Sequence, residues 1–484
     1  MTPAARLLLL FSLVACNAAT DLTPPDAPTR VVCEGAAEEC PGPNRCADDH
    51  CGGLLCDPVD GACTPCTAHD QCATVCEAGR CLSDDELVFV APDADPDAWA
   101  CTRIEPCRDL TAAAARAFGV RSTIVMAPGR YAGTSLWWHV PAELHVLALG
   151  AEIVPTDGPA ISVGDGAVLV EGGVFRGPVS CDGLGAVVRP VLALVGAEVS
   201  STTTAVEATA CDVELESVGL SFAEVGLAAH AGAAIDLRAT TIEDVEVGVL
   251  VDGGVLTGKD VAIRRATSVG LSVVSGAVAL DRAHILDGAG LGVATITSGA
   301  DLRLHAAEIL GNRSGGLKLV AGHYAIVSSL IAENGDGGTS VGGLSIGDAR
   351  GNIDFATIVN NRGLMTTRMV GWPPTRIVSV APSIRCALGQ AITASIIDDG
   401  RLGDMEDPNG CALGASVWLD QPDTTPRCEP AFLDVNPLTV ERDYHLGAGS
   451  TCVDQVLAST PESDLDGDAR PLGRAADYGA DESR

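Results

Sequence analysis

The stretch Ala234–Ile285, AIDLRATTIEDVEVGVLVDGGVLTGKDVAIRRATSVGLSVVSGAVALDRAHI, repeats itself. Aligned on Ile242, one apolar position recurs at Leu220, Ile242, Ile263, Ile285, Ile309, Ile331 and Ile358, with gaps of 22, 21, 22, 24, 22 and 27 residues. Five residues earlier runs a second apolar column: Leu215, Leu237, Leu280, Leu304, Ile326 and Ile353, interrupted by Gly258. A third column pairs glycine with an aliphatic residue, at Gly226-Leu227, Gly248-Val249, Gly270-Leu271, Gly292-Val293, Gly316-Leu317 and Gly343-Leu344. Fixed-period self-similarity of this kind marks a repeat architecture.

Each copy holds three short alternating runs separated by Gly, Asn or Asp turns. A helical repeat needs longer runs at a 3.6-residue period, and none is present. Short strands at a constant coil length, with like residues in register, make an all-β fold, a parallel β-helix. Shorter matches at Val174 and Val199 upstream and Ile396 downstream bring the total to about ten coils, a rod of roughly 50 Å at one strand spacing per coil. The aliphatic columns become interior ladders. Gly and Asn are expected to supply positive φ at the corners, Asn312, Asn334 and Asn360-Asn361 following the anchor column.

Composition agrees with stacked strands: 47% hydrophobic, 3% aromatic and 55 glycines. A net charge of −34 disfavours nucleic acid and anionic lipid headgroups as partners. At the N-terminus, Arg6 precedes a short apolar run that suits a signal peptide and is too short to span a bilayer. Leu13-Val14-Ala15-Cys16 resembles a bacterial lipobox, which implies cleavage before Cys16, lipidation of its sulfur and a membrane partner through the lipid anchor. Asn17 implies outer-membrane or cell-surface sorting by the same resemblance.

Nineteen cysteines are present. Setting Cys16 aside leaves an even number. Ten crowd into Cys33, Cys40, Cys46, Cys51, Cys56, Cys63, Cys66, Cys72, Cys76 and Cys81, in a segment with almost no large hydrophobes. Such a small disulfide-rich N-terminal module needs cross-links to fold, and an exported chain meets an oxidising compartment. Zinc held by Cys63 and Cys66 with His50 and His69 is the alternative, without a second CxxC at finger spacing to support it. The remaining eight fall as near pairs expected to act as local staples: Cys101 and Cys107, Cys181 and Cys211, Cys386 and Cys411, Cys428 and Cys452.

Several stretches together carry a family resemblance. LVFVAPDADPDAWACTRIEPCRDLTAAAARA looks like an entry strand, a Cys-closed loop and a capping helix. STIVMAPGRY looks like a first coil, and FLDVNPLTVERDYHLGAGSTCVDQ with DLDGDARPLGRAADYGADE like a closing segment. The chain from about Val88 onward resembles the pectin-lyase-like right-handed parallel β-helix proteins of the bacterial surface lipoprotein type. The expected organisation is a signal peptide over 1–15, anchor and linker 16–32, Cys-rich module 33–81, entry strand, capping helix and first coil 86–154, coils 155–400 and closing segment 401–484.

That family contains lyases, hydrolases and non-catalytic members, so fold does not decide activity. Its galacturonases use Gly-His-Gly and Arg-x-Lys, and neither occurs here. Asp398 and Asp399 are adjacent, so on a strand they point to opposite faces. His284, His305 and His323 sit in different registers of the repeat and form no ligand cluster. No catalytic residue is assigned. The insertion 363–390 concentrates Arg368, Trp372 and Arg376, the candidate ligand-binding residues for a polysaccharide or another surface protein. Asp464, Asp466 and Asp468 alternate like the first ligands of a calcium loop, yet its sixth and twelfth positions hold Ala469 and Ala475. They are the metal candidates, with calcium as the ion. The closing DYGADE is expected to be a charged edge strand, with Arg470 serving a carboxylate. The functional expectation is a lipid-anchored surface protein with a non-catalytic binding or structural β-helix, and the alternative is a polysaccharide lyase or glycoside hydrolase.

Overall fold

The computed structural model describes residues 55–56, 63–72, 74–336, 338, 341–364, 366–370, 376–380, 384–386, 390–397, 411–414, 416–418, 428–435, 442–447, 449–456 and 461–483. The chain divides into two compact units, Met1–Ala127 with Leu144–Val146, and Pro128–Glu143 with Leu147–Arg484. Cys16, Cys33, Cys40, Cys46, Cys51, Trp372, Asp398 and Asp399 lie outside the described residues, as do the side chains of Cys56, Cys63, Arg368 and Arg376.

In the first unit, disulfides Cys66–Cys76 and Cys72–Cys81 tie a hairpin of Cys76–Glu77 and Arg80–Cys81. Cys66 is therefore not a thiolate available to zinc. Strand Leu87–Val90 pairs in parallel with Thr123–Met126, Cys101–Cys107 closes the loop between them, and Asp109 caps helix Leu110–Ala114 by accepting from the Ala112 N–H. Glu77 fastens the hairpin to strand Thr123–Met126 by accepting a 2.7 Å hydrogen bond from the Thr123 hydroxyl.

The second unit is a parallel β-helix. One coil comprises strands Asp212–Glu216, Gly219–Ser221 and Val225–Ala229, and each pairs in parallel with its counterpart in the next coil. Among the described residues, the sheet built from the short middle strands has thirteen members, from Gly129–Ala132 to Val417–Trp418. Its register places Leu220, Ile242, Ile263, Ile285, Ile309, Ile331 and Ile358 in one ladder, each almost fully buried. The second and third columns are in register as well, with Gly258 between Leu237 and Leu280. At the ends the alignment shifts by one residue. Phe175, not Val174, pairs with Val199, and Ile397, not Ile396, pairs with Ile358.

The third column needs glycine because its neighbour occupies the space a side chain would take. A Cβ on Gly270 would lie 2.6 Å from Ile285 Cγ2 and 2.7 Å from the Gly292 carbonyl oxygen.

The corners bear out the expected positive φ at Asn360 and correct the expectation at Asn312, Asn334 and Asn361. Positive φ falls two residues past each anchor, at Phe222, Asp244, Arg265, Asp287, Gly311, Glu333 and Asn360. A second set follows the other column at Ser217, Ala239, Asp260, Arg282, Ala306, Ser328 and Phe355. The coil imposes this conformation on diverse residue types. Asn312, Asn334 and Asn361 do something different: they are buried and form a ladder of amides. Asn312 Nδ2 donates to Asn334 Oδ1 at 3.1 Å and to the Ile285 carbonyl at 2.9 Å. Asn334 Nδ2 donates to Asn361 Oδ1 at 3.0 Å and to the Ile309 carbonyl at 2.7 Å. Each amide thereby satisfies backbone groups of the turn.

The closing segment also departs from its expected form. Residues 475–482 are buried and form no strand beyond a single bridge of Val456 to Ala476. They cover the outer face of the short-strand sheet. One outward ladder there reads Ser200, Ser221, Glu243, Arg264, then Leu286, Leu310, Ala332, Val359. From Leu310 onward these outward residues share a second apolar core with Tyr444, Leu446, Val456, Leu465, Ala476, Tyr478 and Ala480. Disulfides Cys181–Cys211, Cys386–Cys411 and Cys428–Cys452 staple this unit. Among the described residues no helix is long and apolar enough to cross a membrane.

Candidate functional site

A lateral cavity of about 560 Å³ opens beside Trp137, His139, Asp165, Asp182 and Glu207. Trp137 and His139 are two apart on one strand, so both side chains leave the same face. Their rings stack with centroids 6.1 Å apart and planes 22° apart, and Trp137 is half exposed. His139 lies against Gly164, where an added Cβ would fall 2.1 Å from its Nδ1. The opposite wall is the connection 183–190, whose Leu184, Gly185 and Ala186 line the cavity while Val187 stays exposed.

The carboxylates of this cavity already have partners. Asp165 is buried and accepts from the backbone N–H groups of Gly166, Val187 and Val188 at 2.9, 3.2 and 3.0 Å, holding the wall in place. Asp182 accepts from the Leu184 N–H, and Glu207 stands 3.3 Å from His230 Nε2. No arginine lines the cavity.

A cluster of carboxylates with an arginine does occur elsewhere, on the outward face of strands Asp212–Glu216 and Ala234–Arg238. Glu214 and Asp236 are register partners there. Burial, then the Asp236 charge, raise the Glu214 carboxyl, while Arg238 donates to Asp236 at 3.1 Å.

The three acidic candidates of the closing segment take separate roles. Asp464 is buried and accepts from the N–H groups of Asp466 and Asp468 through one oxygen and of Glu482 through the other. It organises the turn. Asp468 contributes its N–H to that turn, and Asp466 alone turns toward His445. His445 Nδ1 is hydrogen-bonded to Asp443, and its Nε2 stands 3.1 Å from Asp466 and 3.9 Å from Asp481. Burial works against the imidazolium, but the Asp443 hydrogen bond and the Asp481 and Asp466 charges outweigh it and hold the ring up at about 9. Burial chiefly, against the pull of His445 and with the Asp464 and Asp466 charges, pushes Asp481 up to about 7. Arg470 and Glu482 form a fully buried pair 3.4 Å apart, with the guanidinium 4.8 Å from the Phe355 ring centroid.

The scattered histidines stay separate: His284 bonds Glu308 and His305 bonds Asp281, each at 2.8 Å. In the insertion, Thr366–Val370 and Arg376–Val380 form an antiparallel hairpin. Sequence reading missed the cavity because the regular turns promised no concave wall. The available signal was the run GLGAVVRP over Gly183–Pro190, apolar residues in a turn flanked by Cys181 and Cys211.

No protein-family model matches the chain, and no curated protein does. Among solved structures the chain is similar to the pectate lyase Pel9A, at 14% identity and a TM-score of 0.41, over 82% of this chain and 96% of that one. It is also similar to the Dettilon tailspike protein, at 10% identity and a TM-score of 0.43, over 69% of each. The fold is a parallel β-helix, as the strand register shows. The likeness concerns fold alone, and the activity in the first name belongs to that protein.

Proposed function

We propose that the chain is an exported, lipid-anchored surface protein whose β-helix binds a glycan without cleaving it. The observation that carries this reading is the lateral cavity: a stacked Trp137–His139 wall over carboxylates that are each committed to a partner. An aromatic face holds a sugar ring, whereas bond cleavage needs an acid and a base free to exchange protons. The carboxylate lining disfavours a polyuronate and suits a neutral or amine-bearing sugar. Leu13-Val14-Ala15-Cys16 supports the anchor.

A glycan array with wild type and Trp137→Ala tests the binding. Because Trp137 is half exposed, its loss leaves the fold intact, and binding is expected to weaken by more than tenfold. Trp372→Ala is assayed in parallel to locate any contribution from the insertion. Equal binding by wild type and Trp137→Ala removes the cavity from the reading. The lyase or hydrolase alternative rests on Glu214 facing Asp236 and predicts new reducing ends that Glu214→Gln abolishes. The expected result is no product from either protein.

A further inference from the structure

The C-terminal cover brings three chain segments to one point. Hairpin Phe432–Val435 with Arg442–Leu446 presents His445, the turn after Asp464 presents Asp466, and the last buried stretch presents Asp481. One ligand atom from each lies within 4.8 Å of the others. The side chain of Asp481 is only 7% exposed, and among the described residues no N–H donates a hydrogen bond to it. Its nearest cationic atom, His445 Nε2, is 3.9 Å away, beyond hydrogen-bond reach; the Asp464 carboxyl is its side-chain hydrogen-bond partner, and the Asp466 carboxylate faces it. A carboxylate buried among carboxylates either keeps its proton, here shared with Asp464, or takes a cation in its place.

We propose that His445 Nε2, Asp466 and Asp481 bind a divalent transition metal ion, with zinc the ion best suited to the donors. Ligand atoms that share a tetrahedral zinc at about 2.1 Å stand about 3.4 Å apart. The observed separations from Nε2, 3.1 and 3.9 Å, bracket that value. The Asp443 contact on Nδ1 fixes the ring so that Nε2 faces the two carboxylates, the arrangement that orients and strengthens a histidine ligand. Imidazole nitrogen with two carboxylates and an open fourth position suits zinc, whereas calcium takes six to eight oxygens. Asp464, the first residue of the apparent calcium loop, lies outside this converging group, and its oxygens accept backbone N–H groups of the turn instead. The ion fastens the closing segment to the hairpin beneath it. This inference is independent of the glycan reading.

The test titrates zinc chloride alone into the full, chelator-stripped chain, by calorimetry and by measured zinc content. Wild type is expected to take up one zinc more per chain than His445→Gln, Asp466→Asn or Asp481→Asn, with affinity at least tenfold lower in each variant. Asp466 is exposed enough for its asparagine variant to keep the fold even if Asp481→Asn does not. Equal zinc uptake by wild type and Asp466→Asn, or none by wild type, overturns the proposal. A parallel calcium chloride titration that shows tighter binding than zinc overturns the donor assignment.

Discussion

A single methyl group decides the packing along the third column. At Gly270, Gly248 and Gly226 an added Cβ would collide both with the γ-methyl of the ladder isoleucine and with the carbonyl oxygen of the next glycine. The clash involves backbone on one side and a packed branched side chain on the other, so neither can yield cheaply. Gly270→Ala is therefore expected to lose about 1–3 kcal/mol as an overpacked site. Gly219→Ala serves as the control, since its nearest neighbour would be 3.9 Å away. Thermal melts that show the same midpoint for both variants would mean that the column is glycine for another reason. The complementary change is Ile285→Ala, which empties the ladder between Ile263 and Ile309. Fixed coils above and below prevent collapse into the void, so the loss is expected at about 2–5 kcal/mol.

At the scale of one element, the asparagine ladder and the N-terminal hairpin show how polar groups are used once buried. Asn334 receives the Asn312 N–H and side-chain amide and donates to Ile309 and Asn361. Asn334→Ala strands groups on both sides, and each orphan costs about 1–3 kcal/mol. In the hairpin, the His145 ring first, then the Thr123 hydroxyl, hold the Glu77 carboxyl below its ordinary range against burial. A depressed folded pKa stabilises the hairpin above the unfolded value of about 4.3 and loses that contribution as pH falls through the folded value. Protection factors over 76–81, which divide out the intrinsic pH dependence of amide exchange, should therefore be high at neutral pH and fall on acidification below about 4. Glu77→Gln should show the faster exchange already at neutral pH, by at most about 1 kcal/mol because the side chain is a third exposed. Unchanged exchange in that variant would separate the hairpin from Glu77. The interior columns were legible in the sequence because one face of most strands in the early coils is polar, so alternation reports the register there, and the fixed period carries it onward. Alternation fails at Val174-Phe175 and Ile396-Ile397, where neighbouring residues are both apolar. At Ile396-Ile397 both are buried, since the closing segment covers the outer side. Positive φ was legible at Asn360 but not elsewhere, because coil geometry, not residue type, imposes it on Asp, Arg, Phe and Ala alike. Of the candidate site, the cavity wall at 183–190 was hidden in what reads as a turn. The His445 cluster was hidden by a separation of 36 residues between His445 and Asp481.

On the scale of the molecule, the decisive feature is a change in the outward ladder of the short-strand sheet. Ser221, Glu243 and Arg264 keep that surface wet in the early coils, and Leu286, Leu310, Ala332 and Val359 make it apolar in the later ones. The later surface is stable only while the closing segment lies on it, through Tyr478, Ala480, Leu465 and the buried Arg470–Glu482 pair. Deleting residues 461–484 should leave the interior ladders paired but expose a continuous apolar patch, and patches of that kind drive association. The truncated chain is expected to keep its β signal by circular dichroism, to bind a hydrophobic dye and to elute as oligomers in size-exclusion chromatography with light scattering. Replacing the uncovered residues with those of the early coils, as Leu310→Glu with Val359→Thr, should return the truncated chain to a monomer. In the full-length chain the same pair of substitutions should be destabilising, because Leu310 and Val359 are there buried beneath the cover. A truncated chain that stays monomeric and ignores the dye would show that the later coils do not depend on their cover.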